Sequence, residues 1–140
     1  MYRNIIVAFD GTDGARAALA RGAELAGRDG GSLTLVRSVA EEGGPIPPAQ
    51  APNPEVVTEA RHELDETIGS LDPELSASPW IVAGPAGEAI LSVADEIEPD
   101  LIVTGSRGRG PVARTLLGSV SGHLVNNASC DVLVVHPSEG

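Results

Sequence analysis

Short runs of β-branched residues alternate along this chain with longer Ala-rich or mixed segments of helical period. That alternation restricts the fold to a parallel sheet joined by crossover helices. Five runs read as strands, at residues 4–9, 32–39, 76–83, 100–104 and 131–135. After the first run, Asp10-Gly11-Thr12 ends the strand, and Thr12 is placed to cap a helix reaching about Arg28. Ala15, Ala18, Leu19, Ala23 and Ala26 recur there at helical spacing, and their small size lets the helix sit close to the sheet.

Residues 40–54 hold five prolines and read as one long loop. Residues 55–71 return to helical period through Val57, Ala60, Leu64, Ile68 and Leu71, with Glu59, Glu63 and Glu66 on the wet side. A further helix carries Ala86, Ile90, Val93, Ala94 and Ile97 on one face and ends at Pro99. The last helix is expected over residues 119–127, burying Val120, Leu124 and Val125. With 140 residues, no internal repeat and no linker, the chain reads as a single domain over 1–140. Its core is aliphatic, since one Trp (Trp80), one Tyr and one Phe are all the aromatic side chains it has. Trp80 is expected at a sheet edge or an interface.

Charge narrows the function. Twenty acidic residues face nine basic ones, and every basic residue is Arg. Without lysine, a Walker-type P-loop, a Schiff base and a lysine general base are excluded. A net charge of −11 repels nucleic acid and anionic membrane, so an anionic ligand must be held by local backbone dipoles and a few Arg. The single cysteine, Cys130, allows no intrachain disulfide, and the N-terminus enters a strand directly without a signal peptide or a bilayer-long apolar stretch. A cytoplasmic protein is the expectation.

The densest clue lies in residues 105–121, between a buried strand and a helix, where α/β sheets place ligands. Gly105 and Gly108 free the backbone to approach a ligand or adopt positive φ, and their N–H groups can point at an anion. Gly118-Ser119 opens the last helix, whose first amides lack intrahelical partners, and either Ser119 or Ser121 can serve as its N-cap. A capped helix after a loop would explain Gly118-Ser119 alone. It does not explain why two more glycines and Arg107, Arg109 and Arg114 crowd into one loop of so acidic a chain.

The spacing Gly105-x2-Gly108-x9-Gly118-Ser119 resembles the glycine motif of the ATP-binding branch of the universal stress proteins. Residues 5–12, the second strand and residues 130–135 are similar to that family as well. The resemblance implies a Rossmann-like open five-stranded parallel sheet of order 3-2-1-4-5 with helices on both faces. It implies that Ala8 and Asp10 border the nucleotide and that Val36 contacts the adenine, partly through its backbone. Thr104, Gly105, Arg107 and Gly108 would line the ribose and first phosphates, while Gly118, Ser119, Val120 and Ser121 would hold the outer ones. Asp10 has a local alternative as a turn or cap residue, and Arg107 as a solvated loop residue.

The ligand implied is ATP, or AMP or a cyclic nucleotide, with Mg²⁺ carried on the phosphates, and the role that of a stress-response sensor or regulator. Weak ATP hydrolysis and a ligand-independent interaction module are the alternatives. No general base is recognisable, so no catalytic residue is assigned. His62, His123 and His136 show no metal-ligand spacing, Cys130 reads as a small core residue, and residues 118–122 miss the Gly-x-Ser-x-Gly elbow by one position. The family also implies a homodimer through the fifth strand, with Val132, Val134 and Val135 on the sheet edge.

Overall fold

A computed structural model describes residues 1–39, 53–106 and 117–137. Its elements run β1 (Asn4–Ala8), α1 (Asp13–Asp29), β2 (Ser32–Val39), α2 (Pro54–Gly69), β3 (Ser76–Ala83), α3 (Ala86–Ile97), β4 (Leu101–Gly105), α4 (Ser119–Asn127) and β5 (Asp131–Val135). The five strands are all parallel, in the order β3-β2-β1-β4-β5 expected from the resemblance.

Alternation along the strands divides the core in two. Ile5 and Val7 of β1, Leu33 and Leu35 of β2 and Leu101 and Val103 of β4 pack under α1 and under Leu64 of α2. Ile6, Val36 and Ile102 face the other way, against Ile90 and Val93 of α3 and Leu124 of α4. Helices therefore cover both faces. Strand β1 lies at the centre, and Ile5, Ile6 and Val7 are fully buried.

Helix α1 lies closer to the sheet than its alanines alone require. A Cβ on Gly22 would stand 2.8 Å from Val7 Cγ2, and one on Gly105 would stand 2.9 Å from both the carbonyl carbon and the oxygen of Gly14. Two glycine contacts thus fix the seam between α1 and the β1–β4 pair.

Local chemistry accounts for the small shifts in boundary. Asp100 does not extend β4; its carboxylate accepts from the Arg3 and Asn4 amides at 2.9 and 3.1 Å, closing the far end of the sheet. Helix α2 begins at Pro54 rather than Glu55 because Asn53 caps it, accepting from Glu55 N–H at 2.8 Å, and proline suits the first helical turn.

One core assignment is corrected. Val125 is 48% exposed. The buried stripe of α4 runs through Ser121 and Leu124, three residues apart, and the next position turns toward solvent. Trp80 sits on β3, an edge strand, and packs partly buried against the α3 side of the sheet. Among the described residues no helix is long and apolar enough to cross a membrane.

Candidate functional site

Parallel connectivity brings the start of each crossover helix to the carboxyl ends of the strands. There the structure opens a cleft between the ends of β1 and β4, lined by Ala8, Asp10, Val36, Thr104, Gly105, Val120 and Ser121, all expected from the sequence. Thr12 caps α1, Ala86 begins α3, and Val120 and Ser121 belong to the first turn of α4, so three helix N-termini converge on it. A helix start carries the positive end of a dipole, so such a cleft can attract an anion without a lysine.

The four helix starts are not equivalent. Thr12 Oγ1 accepts from Ala15 N–H at 3.2 Å and Asp13 lies in the first turn of α1; Asn53 and Glu55 serve α2; Glu88 lies in the first turn of α3. Helix α4 has neither a side-chain cap nor an acidic residue in its first turn. Among the described residues, its positive end has no side-chain cap and no acid to offset it.

That finding corrects the capping expectation. Gly118, not Ser119 or Ser121, is the N-cap, and Gly122 N–H closes the first turn on the Gly118 carbonyl at 2.9 Å. The Ser121 hydroxyl is buried and committed to the protein, 3.1 Å from the Ser106 carbonyl and 3.2 Å from that of Gly118. Ser119 is exposed on the first turn.

Beside this turn, Ser106 accepts from Gly118 N–H at 2.8 Å and its own N–H reaches the Val135 carbonyl at 2.9 Å. Its hydroxyl is buried with no hydrogen-bond partner among the described residues. A hydroxyl so placed carries a desolvation cost of about 1–3 kcal/mol.

Asp10 takes its local placement as a turn residue and also lines the cleft. It lines the cleft, and its Oδ1 accepts from Thr12 N–H at 3.0 Å and from Thr12 Oγ1 at 2.5 Å, forming an Asx turn. Gly105 owes its lack of a side chain to Gly14, as the α1 seam shows, and its φ is not positive. Arg107 and Gly108, with Arg109 and Arg114, lie outside the described residues, as does most of the 40–54 loop.

Sequence reasoning missed Ser38, which lines the cleft on the same strand face as Val36. Val36 is 1% exposed, and its carbonyl already accepts from Phe9 N–H at 2.9 Å. Two residues on, the parity of β2 turns the Ser38 N–H and C=O to the β1 side, where β1 has ended. An adjacent backbone donor and acceptor thus project into the crevice at Ser38. The signal available in the sequence was relative strand length, since β2 runs to Val39 while β1 stops at Ala8.

The residues set aside as unreactive have ordinary surroundings. His62 pairs with Glu66 along α2 at 2.9 Å, and His123 packs over Gly87 where a Cβ would come within 2.7 Å of its ring. Partial burial, then the Asp131 and Asp100 carboxylates, push the Cys130 thiol above its ordinary range, which disfavours the nucleophilic thiolate. Among the described residues no group of three or more His, Cys, Asp or Glu could hold a metal ion.

Comparison with known proteins agrees with this architecture. A universal stress protein of Mycobacterium bovis is 32% identical over 96% of this chain, and the match covers 48% of that protein, so the chain spans about half the length of the relative. The structure of a universal stress protein from Archaeoglobus fulgidus in complex with dAMP superposes with a TM-score of 0.71 at 25% identity, covering 95% of this chain and 97% of the other. A universal stress protein in complex with cAMP has the same fold, with a TM-score of 0.70 at 24% identity over 98% of this chain and 99% of the other. The family model described as the universal stress protein family matches residues 1–136, and the chain belongs to that family.

Proposed function

We propose that the cleft binds an adenine nucleotide, ATP foremost, and that the chain acts as a stress-response regulator or sensor rather than as a catalyst. The observation that carries this reading is the first turn of α4, which has neither side-chain cap nor acid and lines the cleft through Val120 and Ser121. Amides there suit phosphate oxygens. Ala8, Val36 and Ile90 offer an apolar slot for a base, and the Ser38 backbone offers the donor–acceptor pair that an adenine edge can meet.

The residues present fit the group. The reading assigns Thr104 and Gly105 of the cleft lining to the ribose and first phosphate, Val120 and Ser121 with the adjoining Gly118 and Ser119 to the outer phosphates, and Arg107 and Gly108, outside the described residues, to the rest of the motif. Mg²⁺ would travel on the phosphates. Asp10, the one acidic residue among the lining residues, has its Oδ1 engaged by Thr12, and the reading assigns no general base. The relative with dAMP bound makes a monophosphate the second reading.

Mass spectrometry of what co-purifies, followed by calorimetric titration with ATP, AMP and cAMP, tests both readings. ATP is expected to bind most tightly and to be recovered unhydrolysed. Heat from none of the three would end the proposal, and preference for AMP would move it to the second reading.

In this reading residues 1–140 form one cytoplasmic domain that pairs through β5 as a homodimer. Backbone parity distinguishes the two sheet edges. Gly84 N–H reaches Val39 across the β2–β3 ladder, so Pro79 sits where the backbone faces outward and removes an amide from the β3 edge. On β5 the Val135 carbonyl faces β4, so Val132 and Val134 present the outward amides. Sedimentation should give a dimer, and Val134→Pro, which spares the β4–β5 ladder, a monomer. A wild-type monomer at micromolar concentration would refute the pairing.

A further inference from the structure

The turn that follows β1 has a second side. Facing away from the cleft, Phe9, Asp10 and Gly11 line a polar hollow completed by Arg16 of α1 and by Glu63, Glu66 and Thr67 of α2. Asp10 is therefore shared between the cleft and a space that belongs to α2.

Arg37 reaches the same place from the sheet. It interrupts an otherwise apolar face of β2, after Leu33 and Leu35 and before Val39. Its Nη1 lies 2.8 Å from Glu63 Oε2, and a Cβ on Gly11 would stand 3.8 Å from that same nitrogen. Gly11 itself holds φ +83°, so the guanidinium rests beside the most constrained residue of the turn.

This ion pair differs from the others among the described residues. Glu24–Arg28, Arg61–Asp65 and His62–Glu66 are each four residues apart on one helix and exposed at both ends. Arg37–Glu63 joins a strand to a helix, and the Arg37 side chain is only 16% exposed. Exposed pairs within a helix are screened and contribute little; a partly buried pair between elements constrains their relative position.

We infer that Arg37 is a positioning residue for the nucleotide cleft: its ion pair with Glu63 ties α2 to β2 where the guanidinium passes beside Gly11 of the Asp10–Thr12 turn, so that nucleotide occupancy and the order of α2 are linked. The inference rests on the adenine-nucleotide reading. Linkage is reciprocal, so whatever factor the strap adds to nucleotide affinity, the nucleotide returns as protection of α2. Helix α2 is then the element through which occupancy is felt at the protein surface.

The test compares wild type, Arg37→Met, Glu63→Gln and the double variant, by ATP titration and by amide exchange of residues 54–69 with and without ATP. Glu63 is half exposed, so Glu63→Gln keeps the protein folded whatever Arg37→Met does. Each single variant should lose affinity roughly three- to fivefold, in the range of a partly screened ion pair. The double variant should lose no more than the weaker single one, and ATP should slow α2 exchange in wild type but not in Arg37→Met. A purely structural role would lower the melting temperature while leaving the ATP-dependent exchange difference in place. Unchanged affinity in both single variants, losses that multiply in the double, or equal protection in Arg37→Met would overturn the strap. Wild type that binds no ATP would overturn the nucleotide reading and the strap together, whereas a binding wild type with unaffected variants would overturn the strap alone.

Discussion

Ser119→Asp should weaken nucleotide binding at least about a hundredfold while leaving the protein as stable as before, or slightly more so. Ser119 is exposed at the first position of α4, in a turn that has no acid of its own. A carboxylate there meets the positive end of the helix dipole and contributes about 0.3–1 kcal/mol to folding. The same carboxylate stands where the outer phosphates would rest. Two like charges about 4 Å apart at an effective dielectric constant of about 20 repel by roughly 4 kcal/mol, so affinity should fall at least about a hundredfold. Ser119→Asn, neutral and of the same shape, should keep most of it. Thermal melts and ATP titrations on both variants check the pair of signs. If Ser119→Asp bound ATP like wild type, the phosphates could not lie at the start of α4.

Gly105→Val should have the largest effect on folding among the motif positions described. Its Cβ would come within 2.9 Å of the Gly14 carbonyl carbon and oxygen and 3.2 Å of the Gly14 Cα. These are backbone atoms, so no rotamer change relieves the contact and α1 must move away from β4. Overpacking of this kind costs about 1–3 kcal/mol, with Gly105→Ala at the lower end. The melting temperature should fall by about 2–8 °C for each kcal/mol lost. A Gly105→Val protein that melted like wild type would show that the seam yields freely. Loss of nucleotide binding in any Gly105 variant must therefore be read beside its melt, because the residue serves the α1 seam as well as the motif.

Much of this architecture was legible in the residues because period and punctuation agree. Strands β2, β3 and β5 and helix α4 have the bounds that their β-branched runs, glycines and prolines indicate, and Thr12 caps α1 as its place before an Ala-rich run suggests. The strand order came through the family resemblance; alternation alone specifies parallel crossovers but not which strand lies in the middle. What could not be read depended on distances between elements. Gly105 looks like a ligand glycine alone, and its place against Gly14 in the α1 seam shows only when the two elements are brought together. Val125 looks buried because it is apolar and follows Leu124, yet a helix turns by about 100° at each residue. Ser38 and Arg37 look like ordinary strand residues, and their significance comes from β1 ending before β2 and from α2 lying over the turn. Seven of the residues expected at the site line one cleft, most of them at strand ends and the α4 turn; of the motif positions described, Gly105 lines it and Gly118 and Ser119 do not.

The open helix start at α4 has a chemical corollary. Peptide amides have no proton to gain or lose between weakly acidic and alkaline conditions, and no amine that an acetyl or alkyl group could mask. A cradle made of them keeps its character across the range in which lysine- and histidine-based anion sites are tuned. At that end of the cleft, a pH response in nucleotide affinity would then originate in the phosphate's own ionisation.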